Sequence, residues 1–266
     1  MRRLIVIDVS NFIFRAFFAI RPLNAPDGTP VNAVYGVMNM FHRLITDMKP
    51  THVVCARDTK GPSFRSEIYE DYKANRSDPP DDLIPQFGLI DTLLEKLHLP
   101  CIAMPGFEAD DIIGTVVTKF QNDFDEILIA SGDKDLMQFV NERVKMLDTM
   151  KEKTYGPQDV EDKMGVPPHQ IVDYLSLIGD SSDNIPGVPG IGPKGASALL
   201  KEFGTLEACL ERADEVKAKK TQSSLKEHAD LARLSKRLAT IKVDLTLPYR
   251  PNDLAFQFKA DAELAT

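Results

Sequence analysis

Short apolar runs alternate with amphipathic stretches along the first half of the chain. The runs are too short for helices and consist mostly of aliphatic residues without polar interruptions. This pattern is typical of strands that are buried on both faces of a parallel sheet. It predicts four strands, at residues 4–7, 53–56, 100–104 and 127–130.

The stretches between these runs carry apolar residues at positions i, i+3, i+4 and i+7, which is the repeat of a helix with one buried face. These stripes predict helices within residues 34–48, 83–97 and 112–120. Strands that alternate with amphipathic helices predict an α/β fold with three layers, in which a mostly parallel sheet is connected by right-handed crossovers.

The chain changes character after about residue 165. Helical patterns dominate from there, and a stretch dense in glycine and proline separates the first pattern from the second. The patterns lie at residues 168–178, 193–203, 206–210 and 225–238, and the Gly/Pro stretch at residues 184–195. We therefore predict an α/β domain over residues 1–165 and a smaller helical region over residues 166–266.

One connection, within residues 60–82, fits neither pattern. It lacks an apolar stripe, and basic residues stand among aromatic ones. These are Lys60, Arg65, Lys73 and Arg76 among Phe64, Tyr69 and Tyr72. A polar connection of this length inside a compact domain is typical of either a disordered segment or a functional one.

Composition bounds the class of protein. The 40 acidic and 32 basic residues give a net charge of −8, which by itself argues against a nucleic-acid partner. The 3 cysteines and 5 histidines show no spacing typical of a disulfide framework or a zinc site. The apolar start of the chain is interrupted by Asp8, Asn11 and Arg15, unlike a secretory signal. We expect a cytoplasmic protein.

Acidic residues follow each predicted strand, and two more lie in the loop that enters the Gly/Pro stretch. Because ligands of an open parallel sheet bind beyond the carboxyl ends of its strands, we expect these side chains to converge. Without them the net charge of −8 would become +1, so the acidic balance no longer excludes a polyanionic partner. The nine are Asp8, Asp58, Glu108, Asp110, Asp111, Asp133, Asp135, Asp180 and Asp183.

Carboxylates crowded into one cleft disfavour one another's ionisation, so they need a compensating cation. Oxygen ligands without a cysteine or histidine cluster favour Mg²⁺ or Mn²⁺. Nine acids exceed the needs of one ion, and we predict two divalent cations, the arrangement that serves phosphoryl displacement. The alternative is local: Glu108, Asp110 and Asp111 as first-turn helix caps, and Asp133 and Asp135 as turn residues.

Residues 190–195 read Gly-Ile-Gly-Pro-Lys-Gly and so match a dinucleotide-binding motif. No strand precedes them, because residues 185–189 contain two prolines, and Lys194 is not followed by serine or threonine as in a nucleotide-binding P-loop. Two interpretations remain. Backbone N–H groups near Gly190 and Gly192, helped by Lys194, bind a phosphate such as that of DNA, or the loop is a plain turn between helices.

An ordered set of motifs resembles the flap endonuclease and 5′–3′ exonuclease family over nearly the whole chain, and most of all those 5′-nuclease domains that are joined to a polymerase. The motifs are IDVSN (7–11), DTKG (58–61), YKANR (72–76), EADD (108–111), GDKD (132–135) and GDSSDNIPG (179–187). The resemblance implies a PIN-like sheet, a helical arch over the cleft at about residues 60–82, and a helix-hairpin-helix region that binds duplex DNA, often with a monovalent cation such as K⁺.

The resemblance also implies a reaction, the hydrolysis of DNA phosphodiester bonds at or near 5′ ends and flaps by two-metal-ion catalysis, in replication or repair. The substrate is DNA with a 5′ end or flap next to duplex. We further expect a monomer that can act beside a DNA polymerase.

The resemblance assigns roles residue by residue. The first ion belongs to Asp8, Asp58, Glu108, Asp110 and Asp111, and the second to Asp133, Asp135, Asp180 and Asp183. Lys73 and Arg76, three residues apart on an arch helix, neutralise the scissile phosphate. The DNA-binding set comprises Lys60, Arg65, Tyr69, Tyr72, Gly190, Gly192 and Lys194, in which Tyr69 and Tyr72, together with Phe64, stack on bases.

Arg57 departs from the family's pattern, which has an apolar residue at this position. It either pairs with a cleft carboxylate or points to solvent. Two other functions compete with a nuclease acting on DNA: a catalytically silent DNA-junction-binding protein and a PIN-like ribonuclease. The complete set of nine acids argues against the first, and the Gly/Pro hairpin argues against the second.

Overall fold

The computed structural model describes residues 1–257, and one six-stranded sheet forms its centre. The strands lie in the order β3-β2-β1-β4-β5-β6, with the first five parallel and β6 antiparallel to β5. They are β1 (Arg3–Asp8), β2 (His52–Arg57), β3 (Cys101–Ala103), β4 (Glu126–Ala130), β5 (Val144–Asp148) and β6 (Lys153–Tyr155). The predicted fold class, a mostly parallel sheet between helices, is confirmed.

Eleven α-helices surround the sheet in the described residues 1–257. Those of the first part are α1 (Val9–Ala19), α2 (Asn32–Met48), α3 (Phe64–Ile68), α4 (Ile84–Lys96), α5 (Ala109–Phe120) and α6 (Pro157–Met164). Those of the second part are α7 (Ile171–Ile178), α8 (Pro193–Phe203), α9 (Leu206–Glu211), α10 (Lys219–Glu227) and α11 (Ala229–Ala239). In residues 1–257 no helix is long and apolar enough to cross a membrane.

Each face of the sheet carries its own apolar core. On one face Phe12 of α1, Phe41 of α2 and Ile90 of α4 are buried against β1 and β2. On the other face α5 packs its stripe, including Ile112 and Val116, against β1 and β4. Burial on both faces explains why the four predicted strands are continuous apolar runs.

Two strands, β5 and β6, and two helices outside the 60–82 segment, α1 and α6, were not predicted. β5 is interrupted by Lys145 and ends at Asp148, and β6 has only three residues at the sheet edge, so neither forms an apolar run. α1 follows β1 without a break, and its buried residues merge with the apolar run of the strand. The change occurs at Asp8, whose side chain caps α1 by accepting the backbone N–H of Asn11 at 2.9 Å.

The helical region packs α7, α8 and α11 around a third core. Two details differ from the sequence pattern. First, the predicted helix 225–238 is interrupted at His228, which separates α10 from α11. Second, beyond α11 the chain returns to the α/β part, where Ile241, Leu245 and Leu254 join the core under α5 and Ala255 pairs with His52 of β2. The final residues of the described chain therefore fasten the helical region to the sheet.

The 60–82 segment does not form the expected arch helix over its length. It contains the five-residue α3, then turns at residues 70–75 and an extended stretch at 76–80. Lys73 has a φ of 57°, a left-handed conformation outside any helix. The expectation that Lys73 and Arg76 share one face of a helix is therefore wrong.

Candidate active site

The acids of β1 and β4 meet at the carboxyl edge of the sheet, because these strands are neighbours and parallel. Asp8 is 4% exposed and accepts the Ser131 hydroxyl at 2.7 Å. The same hydroxyl accepts the backbone N–H of Asp133 at 3.1 Å. One serine thus links the end of β1 to the loop after β4, and this loop carries Asp133 and Asp135 into the cleft.

The loop after β4 turns into a 3₁₀ helix at Lys134–Phe139. Asp133 caps it by accepting the backbone N–H of Asp135 at 3.0 Å, so the turn role considered from the sequence is real. The turn does not account for every carboxylate oxygen of the two acids, because the buried Oδ1 of Asp135 has no hydrogen-bond donor. An orphaned buried carboxylate oxygen is costly unless a cation or water satisfies it.

Burial, and after it the charges of neighbouring acids, raises the pKa values of four cleft carboxyls. Burial, then the neighbouring charges of Asp58 and Asp133, raises the pKa of Asp8 to about 7. Burial, together with Asp133 and Asp8, raises the pKa of Asp110 well above its usual value. Burial likewise raises the pKa values of Asp133 and Asp135, with Asp183 and Asp133 respectively as the leading acidic neighbours. Mutual repulsion across the set means that these side chains face one cleft.

The loop after α7 adds Asp180 and Asp183. Backbone hydrogen bonds in both directions between Asp180 and Ile185 close this loop. Asp180 accepts the Lys134 ammonium at 2.5 Å. Both acids line, with Asp133 and Asp135, a pocket of about 350 Å³. The predicted convergence of acids from the sheet and from the Gly/Pro entry is therefore present.

Two bases of the 60–82 segment face these acids. Lys73 donates to Glu108 at 2.7 Å and lies 3.5 Å from Asp183, and Arg76 donates to Asp183. Burial by itself would raise the pKa of Asp183, but Lys73 and Arg76 outweigh it and hold that pKa below its usual value. The two cationic residues that were predicted to neutralise the scissile phosphate thus lie at the cleft, and their side chains contact its acids.

Asp58 and Glu108 occupy the rim. Asp58 is exposed, and its carboxylate accepts the backbone N–H of Ala109 at the start of α5 at 2.7 Å. Glu108 accepts from Lys73 and Ser63 on one oxygen, and from Arg65 and Tyr72 on the other. Glu108 is therefore a junction between the 60–82 segment and α5.

The assignment of Asp111 to the metal set is wrong, and so is that of Arg65 to the DNA-binding set. Asp111 is 0% exposed and Arg65 2% exposed, and they form a bidentate ion pair with both N···O distances at 2.8 Å. Asp111 also accepts the backbone N–H of Glu108, as a helix cap does. Neither residue reaches the cleft or the solvent.

The stacking role of Tyr72 is also corrected, whereas those of Tyr69 and Phe64 stay predictions. Tyr72 is 6% exposed and donates its hydroxyl towards Glu108 and Asp183, at 3.1 and 3.0 Å, so its ring offers no face to a base. Tyr69 is partly buried against the helical core. Phe64 packs on Phe107 with ring centroids 6.0 Å apart. Lys60, which was predicted to bind DNA from the same segment, is exposed, so its DNA-binding role stays a prediction.

The Gly/Pro stretch forms a tight hairpin between α7 and α8. Gly179 and Gly187 have φ values of 75° and 65°, and a Cβ on Gly187 would lie 2.3 Å from the Gly179 nitrogen. Only glycine fits this approach. At the tip, Gly190, Gly192 and Lys194 are exposed at the start of α8, which is the geometry expected of a phosphate-binding turn.

Arg57 pairs with Asp91 of α4 and lies over the Phe87 ring, 6.0 Å from its centroid. Its partner is thus none of the nine predicted acids. Two other polar residues of the cleft were given no role from the sequence: Asn11 of the IDVSN motif, which accepts the Gly132 N–H at 3.1 Å, and Lys163, which lines the pocket from α6. Polar residues inside helices resemble solvent-exposed positions in a single sequence, and only the tertiary contacts distinguish them.

The cleft fits a hard divalent cation. Its donors are carboxylate oxygens, one of them orphaned, and burial and mutual repulsion raise the pKa values of Asp110 and Asp135. Within residues 1–257 no three Asp, Glu, His or Cys side chains form a complete ligand set in this arrangement. Mg²⁺ usually takes one or two carboxylates and keeps several waters, so neighbouring pairs of acids suffice.

The chain matches two family models. They are described as 5'-3' exonuclease, N-terminal resolvase-like domain, over residues 3–165, and 5'-3' exonuclease, C-terminal SAM fold, over residues 166–262. The DNA polymerase I of Rhizobium leguminosarum is 46% identical over 252 residues, which are 92% of this chain and 25% of the relative. The chain thus spans about a quarter of that protein's length.

A relative of similar length is the 5'-3' exonuclease of Aquifex aeolicus, 35% identical over 254 residues that cover 96% of this chain and 86% of the relative. The solved structure of the bacteriophage T5 5′-exonuclease with bound zinc ions shares the fold, with a TM-score of 0.77 at 22% identity, over 90% of this chain and 89% of that chain. With both models matched and a relative of nearly equal length, this chain belongs to the 5′–3′ exonuclease family.

Proposed function

We propose that the chain is a metal-dependent 5′ nuclease that hydrolyses DNA phosphodiester bonds at or near 5′ ends and flaps. The observation that carries the proposal is the cleft shared by Asp8, Asp110, Asp133 and Asp135. Asp8 and Asp135 are buried, the Oδ1 of Asp135 has no donor, and the pKa values of all four are raised. A protein that maintains such repulsion at the ligand-binding edge of its sheet has a use for cations there.

The acids divide into two groups by position. Asp8, Asp58, Glu108 and Asp110 stand on the β1, β2 and α5 side, and Asp133, Asp135, Asp180 and Asp183 on the side of the 3₁₀ helix and the hairpin entry. Each group would hold one Mg²⁺ or Mn²⁺. When bound, such a pair supplies electrostatic stabilisation of the attacking and leaving oxygens in phosphodiester hydrolysis.

Lys73 and Arg76 are positioned to exchange partners. In this structure they neutralise Glu108 and Asp183. Cations bound in the cleft would compete for these carboxylates and free the two bases to face the scissile phosphate, where positive charge stabilises the transition state. Release of their contacts is also what a substrate strand needs in order to pass between the 60–82 segment and the cleft.

Duplex DNA would bind at the hairpin. The backbone N–H groups at Gly190 and Gly192 and the Lys194 ammonium are exposed together, and a K⁺ ion at this turn would add affinity for phosphate. Such contacts are independent of sequence. Lys60 and the partly buried Tyr69 would contact the strand near the cleft. Action in the cytoplasm as a monomer beside a DNA polymerase completes the proposal, in agreement with the unpaired cysteines and the polymerase relatives.

The test is cleavage of a 5′-flap duplex with Mg²⁺, followed by gel analysis of the products. The wild type should cut near the junction, and Asp133→Ala should lower kcat about 10³-fold while DNA binding persists, because several kcal/mol of charge stabilisation are lost. Asp230→Ala is the matched control, since Asp230 is a fully exposed aspartate on α11. Binding without cleavage by the wild type, or a preference for single-stranded RNA, would contradict the proposal.

A further inference from the structure

Arg65 uses every N–H group of its guanidinium, which has five. Its Nε donates to the Leu238 carbonyl at 2.9 Å. Its Nη1 donates to Glu108 and Asp111 at 3.1 and 2.8 Å, and its Nη2 to Asp111 and the Thr240 carbonyl at 2.8 and 3.1 Å. Burial by itself would lower the pKa of this group, but the bonds to Asp111 hold it above its usual value.

Asp111 is satisfied just as completely. Each oxygen accepts one Arg65 N–H, and each also accepts one backbone N–H, from Lys242 at 2.9 Å and from Glu108 at 3.1 Å. A carboxylate offers about four lone-pair sites, and here all four are taken. No site remains for an ion, although Asp111 stands directly after Asp110, which faces the cleft.

The pair joins three segments that are distant in the chain. Arg65 belongs to α3, the start of the segment that leads to Lys73 and Arg76. Asp111 belongs to the first turn of α5. The carbonyls and the N–H at residues 238–242 belong to the exit from α11, where the helical region returns to the sheet. The hairpin-bearing region and the cleft are thus connected by one buried polar unit.

The same unit orients Glu108. Ser63 and Lys73 donate to one carboxylate oxygen of Glu108, at 3.3 and 2.7 Å, and the Lys73 contact is the one that a cation in the cleft would displace. Arg65 and Tyr72 donate to the other oxygen, both at 3.1 Å. Without Arg65, that oxygen of Glu108 would lose one of its two donors. The backbone of α3 would also lose its tie to residues 238–242.

We infer that Arg65 and Asp111 are a positioning pair: they hold Glu108 in its metal-binding orientation and fix the helical region to the cleft, without contacting ion or DNA. The inference rests on the proposed metal-dependent function. Partners that orient the ligands of a metal commonly change metal affinity or activity by 10- to 100-fold when altered. The pair is therefore expected to control the response to metal rather than the affinity for DNA.

The first variant is Arg65→Lys, which keeps the charge but supplies at most three donors and no planar fork. The concentration of Mn²⁺ that gives half of the thermal-shift response should rise about 10-fold, and kcat at subsaturating Mn²⁺ should fall 10- to 100-fold. The KM for the flap substrate and DNA binding in EDTA should stay within about twofold. Arg212→Lys is the matched control, because Arg212 forms a bidentate pair with Glu215 at the surface, and it should change nothing.

The second variant, Asp111→Asn, distinguishes positioning from direct coordination. A positioning pair predicts that Arg65→Lys and Asp111→Asn shift the Mn²⁺ response alike. If Asp111 were a ligand, Asp111→Asn alone would shift it. Circular dichroism and the melting temperature without metal are recorded for both variants, so that a loss of folding is separated from a loss of metal response.

Three outcomes would overturn the inference: a normal Mn²⁺ response in Arg65→Lys, a shift confined to Asp111→Asn, or loss of the folded circular dichroism signal in both variants, which would make the pair a folding element alone. Each is distinguishable from failure of the proposed function. If the proposed function is wrong, the wild type itself shows neither a Mn²⁺ response nor cleavage.

Discussion

Asp110 and Asp111, which are adjacent in α5, have opposite electrostatic surroundings. Asp111 is matched by Arg65 and by backbone donors, so that every polar atom of the pair has a partner. Asp110 faces Asp133 and Asp8, and burial together with these charges raises its pKa well above the usual value. The two side chains differ by one step of the helix, about 100°, and therefore meet different surroundings.

The difference teaches how to separate structural from functional carboxylates. A buried charge that the chain compensates by itself contributes to the fold. A buried charge that the chain leaves uncompensated has a partner outside the chain, since the repulsion would otherwise be pure cost. By this criterion Asp8, Asp110, Asp133 and Asp135 are the proposed ligands of the cations, and Asp111 is a structural carboxylate.

The largest expected effect is that alanine substitutions of Asp111 and Asp110 change the free energy of unfolding in opposite directions. Asp111→Ala leaves Arg65 buried without its counter-ion and should lower the free energy of unfolding by about 3–5 kcal/mol. Asp110→Ala removes a repelling charge and should raise it when no divalent ion is present. Urea unfolding in EDTA measures both. If both substitutions destabilise to the same degree, the contrast between the two environments is wrong.

Divalent ions should stabilise the folded protein through the cleft carboxylates and not through Asp111. An ion at 100 times its Kd adds about 2.7 kcal/mol to the stability of the folded state. Mn²⁺ should therefore raise the melting temperature of the wild type and EDTA should reverse it, whereas Asp133→Ala should respond weakly. An equal response of the wild type and Asp133→Ala in a thermal melt would show that the ion binds elsewhere.

The acid cleft should also give the metal-free protein a characteristic pH dependence. The pKa of Asp8 is about 7 in the fold against 3.8 for a free aspartate, so the unfolded chain binds fewer protons between these values. Its contribution to stability is thus present below pH 4 and is lost as the pH rises to about 7. In EDTA the wild type should lose stability over this range, by several degrees of melting temperature, relative to Asp8→Asn. Parallel melting curves for the two proteins would refute this titration.

The smallest effect is expected at the hairpin. Lys194 is exposed at the start of α8, and one phosphate contact there contributes a screened, surface interaction. Lys194→Gln should weaken binding to duplex DNA about two- to threefold for any sequence. It should also reduce the slope of log K against log salt by about 1. Fluorescence anisotropy at several salt concentrations measures both, and a sequence-dependent loss would argue against a backbone contact.

Several features could be predicted from the sequence because they depend on local pattern. The four central strands are apolar runs, since both their faces are buried, and the acids follow them because strand ends carry the ligands of such sheets. β5 and β6 could not be predicted, because a five-residue strand with two charged residues and a three-residue edge strand resemble loops. The arch helix was expected from the family, and the backbone at Lys73 does not adopt it.

The sequence by itself determined the order of the elements and the position of acids directly after the strands of the sheet, because periodicity and strand polarity are local properties. Only the tertiary structure decided which acids remain free. The bond that removes Asp111 from the acid set comes from Arg65, 46 residues away, and from residues 238–242 beyond the helical region. Compensation of a buried charge is a property of its surroundings in space, and no local pattern records it.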